Sequence, residues 1–186
     1  MGTTWSVRAV HGAEGADAEH VAAGLRGEIE TVLARIVAEM SHWDSASRLS
    51  RFNAAELGRW QPLPSGFAQV LAAALAVAEA SDSAFDPAIG RLADLWGFGP
   101  TGPRIGVPSE RAIAEALAAS GRRHVEQDGN RARRLADVAL DFSGIAKGHA
   151  VDAVTERLRA LNLHDFLVEI GGELRGEGIK PDGQPW

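Results

Sequence analysis

The run from Ala139 to Asp152, ALDFSGIAKGHAVD, constrains the fold more tightly than any other stretch of this chain. Val138 to Phe142 reads as a buried strand that delivers Asp141 at its end. Ser143-Gly144 supplies a turn, and a helix begins near Ile145 with Lys147 in its first turn. A helix start presents unpaired backbone N–H groups and the positive end of its dipole, which suits a phosphate or pyrophosphate. A lysine in that turn opposes the dipole, so an anion is expected beside it. Asp141 can hold a ribose hydroxyl or help place a cation next to the phosphates. A plainer reading stands beside this one, in which Asp141 caps the helix and Lys147 pairs with it or with Asp152. Neither GxxxxGK[ST] nor a GxGxxG strand–helix turn is present, so two common nucleotide loops are excluded.

The rest of the chain supplies elements around that segment. Alternation of Trp5, Val7 and Ala9 predicts a strand. Val21, Leu25, Ile29, Val32, Leu33, Ile36, Val37 and Met40 form one stripe, which predicts an amphipathic helix over about 18–40. Residues 41–65 read as an irregular, functional-looking loop with short helical turns. Ser65 is a candidate cap for a helix through Ala80, built on Phe67, Val70, Leu71, Ala74, Leu75 and Val77. A glycine- and proline-rich loop runs from Ser81 to Pro108, and Ser109 caps a third helix that stops before Gly121. Strands at 122–127 and 131–135 flank the turn Asp128-Gly129-Asn130. A helix over 145–161 and a strand over 166–170, ending in Gly171-Gly172, follow. Helices and strands interleave without a βαβ rhythm, so the expected class is α+β, with a mixed or antiparallel sheet packed by helices.

Bulk properties exclude several function classes. The 186 residues suffice for one domain or two small lobes. A formal net charge of −6 argues against a general nucleic-acid binder. Arg122, Arg123, Arg131, Arg133 and Arg134 read as the solvated ends of a hairpin rather than a binding patch. The chain has no cysteine, which excludes disulfides, thiolate metal sites and cysteine nucleophiles. Its longest apolar run, Val70 to Ala78, is too short for a membrane span. No leader is visible, so a cytoplasmic location is the default and a periplasmic one stays compatible with a removed leader. The six histidines lack metal-ligand spacing such as HExxH.

Aromatic loops offer the other half of a nucleotide site. Trp43 can stack on a purine or an isoalloxazine, or plug an edge of the core. Phe85-Asp86-Pro87 is a turn whose backbone can face a ligand, while Asp86 can equally cap the short helix from Ala88 to Leu95. Trp96 and Phe98 are expected as core plugs. Gly171-Gly172 implies close approach of backbone to another segment or a ligand, and Glu169 and Glu173 are either functional carboxylates or surface strand residues.

In order along the chain, these blocks resemble the ApbE family of FAD:protein FMN transferases. Met1-Gly2-Thr3 is similar to the family's opening motif. Met40 to Asn53 is similar to its Ser-x-aromatic-Asp and Leu-Ser-x-Phe-Asn block, and FDPAIGRL from Phe85 with LWGFG from Leu95 to its second. Leu140 to Asp152 resembles the LDxGGIAKGYAVD signature, and Ile170 to Glu173 follows at family spacing. Ser143 and His149 depart from it, standing where the family has glycine and tyrosine.

The resemblance implies an ApbE-like domain over 1–186, forming the N-terminal two-thirds of such an enzyme. It implies transfer of FMN from FAD to a threonine or serine hydroxyl of a target flavoprotein, with AMP released and Mg²⁺ as cofactor. By the same resemblance Trp43 stacks on the flavin nucleotide and Met1 lines its pocket. Ala84, Phe85 and Asp86 form the loop that contacts FAD, Asp141 and Lys147 contact it too, and the Gly144 carbonyl is one magnesium ligand. The side-chain magnesium ligands, an aspartate and a threonine or serine, are expected beyond residue 186, and no general base is identified. A non-catalytic FAD-binding module is the alternative for this chain, and a misfolding-prone fragment that binds nothing is a third.

Overall fold

Apolar alternation near the two ends of the chain meets in one sheet. In the computed structural model, which describes residues 2–12 and 15–186, strand β1 (Trp5–Ala9) pairs antiparallel with β5 (Phe166–Ile170), Trp5 facing Ile170 and Ala9 facing Phe166. β5 pairs in turn with β6 (Glu173–Glu177). Phe166, Val168 and Ile170 are buried on one face of this central strand. Helix α6 (Ala146–Ala160) packs against β5 and β6 and buries Ala150, Val151, Val154 and Leu158. Outside the apolar contact, Arg159 grips Glu177 through both guanidinium edges, at 2.8 and 2.5 Å. Arg175 bridges Glu177 at 3.0 Å and Asp152 at 2.6 Å. These hydrogen bonds, Arg159's first, hold the Glu177 carboxyl below the usual carboxylate range.

By contact density the chain divides into two units, Met1–Ile36 with Ala146–Trp186, and Val37–Ile145. The first boundary falls inside α1 (Gly15–Met40). Along α1 the expected stripe is buried at Ile29, Ile36 and Met40, while Val21 faces solvent.

The second unit contains α2 (Arg48–Ala54), α3 (Ser65–Ala80), α4 (Gly90–Leu95) and α5 (Glu110–Ala119). Its sheet is small: β2 (Gln61–Pro62) and β3 (Val125–Asp128) flank β4 (Arg131–Arg134), all antiparallel. The core is centred on Phe67 of α3, whose ring lies 6.0 Å from that of Phe52 and 5.1 Å from that of Phe142. All three are at most 2% exposed, so each is anchored by close packing rather than by chain connectivity. Among the described residues no helix is long and apolar enough to cross a membrane.

The architecture is α+β, with antiparallel sheets. Several local expectations are corrected. Ser65 does not cap α3: Pro64 holds the cap position, and Glu39 at the end of α1 accepts the free Phe67 N–H at 3.2 Å. The buried face of α3 runs through Phe67, Val70, Leu71, Ala74 and Ala78, which leaves Val77 exposed. Residues 122–124 form a single 3₁₀ turn before β3 instead of its first residues. Trp96 and Phe98 are not core plugs, being 42% and 75% exposed. Their loop closes through polar contacts, with the Asp94 carboxylate accepting from Thr101 N and Oγ1 at 2.9 and 2.8 Å. Arg134 is not solvated. It is buried, its guanidinium donates to the Val138 carbonyl at 2.8 Å and to the Ala55 carbonyl, and burial lowers its pKa. Arg131 and Arg133 do face outward, pairing with Asp128 and Glu126 and lying over the Trp60 ring.

The turn between β5 and β6 has Gly171 and Gly172 at φ +58° and +96°, as a two-residue hairpin of this twist requires. A Cβ at Gly171 would meet Thr3 Oγ1 at 2.6 Å and Lys147 Cδ at 3.0 Å, whereas one at Gly172 meets nothing within 4 Å. Both alanine variants carry backbone strain, so the difference between them measures the missing space. Gly171→Ala is expected to lose at least about 1 kcal/mol more than Gly172→Ala in urea unfolding, since overpacking costs about 1–3 kcal/mol. Equal losses would show that the close approach does not matter.

Candidate functional site

The segment that presents Asp141 is extended but belongs to no sheet. Val138, Leu140 and Phe142 are buried in alternation, as expected of a strand. Its backbone bonds go elsewhere. The Asn53 carboxamide, at the end of α2, takes both polar groups of Leu140: Nδ2 donates to the carbonyl and Oδ1 accepts the N–H, each at 2.8 Å. On the other edge Gly90 N donates to Ala139 O at 2.9 Å and Asp141 N donates to Pro87 O at 2.7 Å. A side chain therefore substitutes for one neighbouring strand and a loop for the other.

Asp141 turns the chain at the end of this segment. Its Oδ1 accepts the Ser143 N–H at 2.7 Å, an Asx turn that leads through Gly144 into α6. The same oxygen lies 3.5 Å from Nδ1 of His42. His42 is the neighbour of Trp43, and the two rings are 5.0 Å apart at 41°. Trp43 is 60% exposed, so it is an open flat surface and not a plug in the core. A cleft of about 300 Å³ adjoins this corner, lined by His42, Asn53, Asp141, Arg91 and Asp94 among others.

The loop after α3 supplies another wall. Asp82 and Ser83 adopt left-handed backbone, φ 49° and 62°, a conformation that costs a side-chain-bearing residue energy and is held only by its surroundings. Ser81 stabilises it, accepting Ala84 N at its carbonyl and Phe85 N at its hydroxyl. Ala84 is left exposed and Phe85 half-buried. The Phe85 ring edge covers Gly144, where a Cβ would sit 3.1 Å from Cε2. Asp86 is engaged on both oxygens, by Ala88 N at 2.8 Å and by Arg122 N at 2.9 Å. These bonds close the 86–88 turn and tie it to the segment before β3; Asp86 does not cap α4, whose cap position is held by Ile89 with no side-chain bond.

Lys147 lies in the other unit, in the first turn of α6. Its ammonium meets Glu173 Oε2 at 2.7 Å and donates to the Gly171 carbonyl at 3.1 Å. It pairs with Glu173 and not with the expected Asp141 or Asp152. An ammonium has three donors, and the hydrogen bond to Gly171 uses one of them. Met1 lies outside the described residues.

Among the described residues no three His, Asp or Glu side chains converge on a point that could hold a metal ion. The Gly144 carbonyl has no such set beside it.

Comparison with known proteins gives this arrangement a lineage. The sequence profile of the ApbE family matches residues 1–186. The chain belongs to the ApbE family. The FAD:protein FMN transferase of Haemophilus influenzae is 36% identical over 193 residues, covering 100% of this chain and 55% of the relative. That of Vibrio cholerae is 32% identical with the same coverage. In structure, the apo form of Pseudomonas stutzeri flavinyl transferase ApbE superposes with a TM-score of 0.90 at 41% identity, covering 100% of this chain and 61% of that one. The flavin transferase ApbE from Vibrio cholerae gives 0.93 at 32% identity, covering 100% and 59%. The fold is thus ApbE-like, and this ApbE-family chain spans about half the length of the curated relatives it matches.

Sequence reasoning missed the individual roles of Asn53 and His42. Asn53 stood inside the Leu-Ser-x-Phe-Asn block, but nothing along the sequence says that its amide pairs with a backbone 87 positions away. His42 has no metal-ligand spacing, and a lone histidine carries no sequence signal for a place beside Asp141. In this ApbE-family chain, Asn53→Ala leaves the Leu140 N–H and carbonyl unpaired. The expected loss is about 1–3 kcal/mol in urea unfolding, the cost of stranding buried polar groups. A loss below about 0.5 kcal/mol, the size of an ordinary surface substitution, would show that the amide holds nothing in place.

Proposed function

We propose that the protein carrying this chain transfers FMN from FAD to a threonine or serine hydroxyl of a target flavoprotein, releasing AMP. The observation that carries the reading is full-length similarity of this chain to proteins named FAD:protein FMN transferase. The placement of the open Trp43 ring beside His42 and Asp141 supports it. Trp43 would stack on the nucleotide, Asp141 would hold one of its polar groups, and the 84–86 loop would contact it.

In the reaction the acceptor oxygen bonds to the FMN-side phosphorus of FAD. The bond from that phosphorus to the bridging oxygen breaks, AMP leaves with that oxygen, and the hydroxyl proton passes to a base that the described residues do not identify. Charge concentrates on the phosphate oxygens as this happens, so a fixed cation is worth most in the transition state. Lys147 would supply it, through a donor that the Gly171 carbonyl does not use.

Mg²⁺ is the proposed cofactor, with the Gly144 carbonyl as one ligand. It favours six oxygens in near-octahedral geometry, and the described side chains do not build such a shell. The residues present therefore do not fit a closed site, and no step here runs through the metal. The second reading for this chain is an FAD-binding module without transfer.

FAD titration with and without Mg²⁺, followed by AMP release on adding a threonine-containing acceptor peptide, separates the readings. Binding with AMP release supports the transferase, and binding alone supports the module. No FAD binding by a folded sample removes the flavin reading. Lys147→Ala is expected to slow transfer at least about tenfold, equivalent to about 1.4 kcal/mol in the barrier. Its unfolding midpoint should barely move, because a half-exposed ion pair contributes about 0–1 kcal/mol. Wild-type transfer by that variant would end the role given to Lys147.

A further inference from the structure

His42 carries an unusual burden for a residue with no assigned role. Its side chain is 13% exposed, and Asp141, which it faces, is 14% exposed. Nδ1 lies 3.5 Å from Asp141 Oδ1, while Nε2 is buried with no hydrogen-bond partner among the described residues. A buried, unpaired polar atom costs stability. The loop that holds the ring is well fixed. Ser41 Oγ accepts from Trp43 N and Asp44 N, both at 3.3 Å, and Asp44 Oδ1 accepts from Ala46 N at 2.8 Å. The ring is therefore placed by its backbone, with the Asp141 carboxylate as its polar partner.

We infer that His42 is a positioning residue for Asp141. Held as the Nδ1–H tautomer, it fixes the orientation of that carboxylate and its spacing from the open Trp43 ring. The tautomer follows from the surroundings: a proton on Nδ1 points toward an acceptor, whereas a proton on Nε2 would be a buried donor with none. Asp141 Oδ1 already accepts the Ser143 N–H, so a ring N–H aimed at the same oxygen from 3.5 Å restricts the carboxyl further and leaves Oδ2 for a ligand. The flavin reading enters only in which ligand Oδ2 meets; the His42–Asp141 brace does not depend on it.

Two measurements test this. Ring ¹⁵N NMR of the ligand-free protein at about pH 8, where an ordinary histidine is neutral, should show His42 with its proton on Nδ1. In Asp141→Ala the proton should shift toward Nε2. A wild-type Nε2–H tautomer overturns the inference, whether or not the protein binds flavin. The second measurement is FAD affinity. His42→Phe keeps a ring beside Trp43 and removes only the nitrogens, so it separates bracing from packing even where His42→Ala destabilises the loop. His42→Phe should weaken FAD binding about tenfold, and His42→Asn, with an N–H near the position of Nδ1, should recover most of it. His42→Gln, whose donor reaches the position of Nε2, should not. Combined with Asp141→Ala, His42→Phe should add little, as coupled residues do. Wild-type affinity in His42→Phe, or losses that multiply in the double variant, overturn the inference. If the wild-type protein binds no FAD, the flavin reading fails and the tautomer measurement alone decides the role of His42.

Discussion

The pairing of the Asn53 carboxamide with the backbone of Leu140 is the constraint on which the site rests. An extended segment buried on both edges needs partners for every N–H and carbonyl, and residues 139–142 have no strand beside them. The amide of Asn53 is shaped like a peptide group and replaces one. With Pro87 and Gly90 bonding the opposite edge and Phe142 fixed among Phe52 and Phe67, the segment has little freedom left. Arg134 secures its upstream end, bonding the carbonyls of Ala55 and Val138 from a buried position. Asp141 lies within this clamp, its own N–H bonded to Pro87, so the backbone fixes where the carboxyl starts before the Ser143 N–H and the His42 ring meet it.

Charge in this chain is local. The net charge is −6, yet the proposed substrate is a polyanion, so attraction has to come from particular groups. Most arginines are committed: Arg131 and Arg133 to carboxylates and the Trp60 ring, Arg159 and Arg175 to Glu177. Lys147 is also paired, but by a half-exposed carboxylate and a carbonyl, partners that a phosphate can join without a large rearrangement. With low overall attraction, preference for a specific phosphate over polyanions in general would fall to local groups such as Lys147.

Periodic elements were legible in the sequence. The helices carrying the Val21–Met40 and Phe67–Val77 stripes, the helix after Gly144 and the alternation of Phe166, Val168 and Ile170 appear where their spacing places them, although Val21 and Val77 face solvent. What stayed hidden depends on partners distant in the chain. The 138–142 segment alternates like a strand because burial alternates, but its bonds go to a side chain and a loop. Trp96 and Phe98 looked like core residues because large rings usually are; the loop instead closes through Asp94 and Thr101. The Arg134 guanidinium is indistinguishable from its neighbours until Ala55 is brought beside it. The chemistry-bearing blocks were readable because several short motifs occur in order, while His42, a single residue of common type, gave no signal.

The hairpin turn of β5 and β6 also limits how this chain can diverge. Gly171 leaves room for the Lys147 side chain and gives it a carbonyl to bind. A lineage that acquires a larger residue at the turn has to move Thr3 and crowds the lysine as well, whereas one that replaces the lysine still needs glycine there for the left-handed backbone. The dependence therefore runs one way, from the lysine to the glycine, although 24 residues separate them.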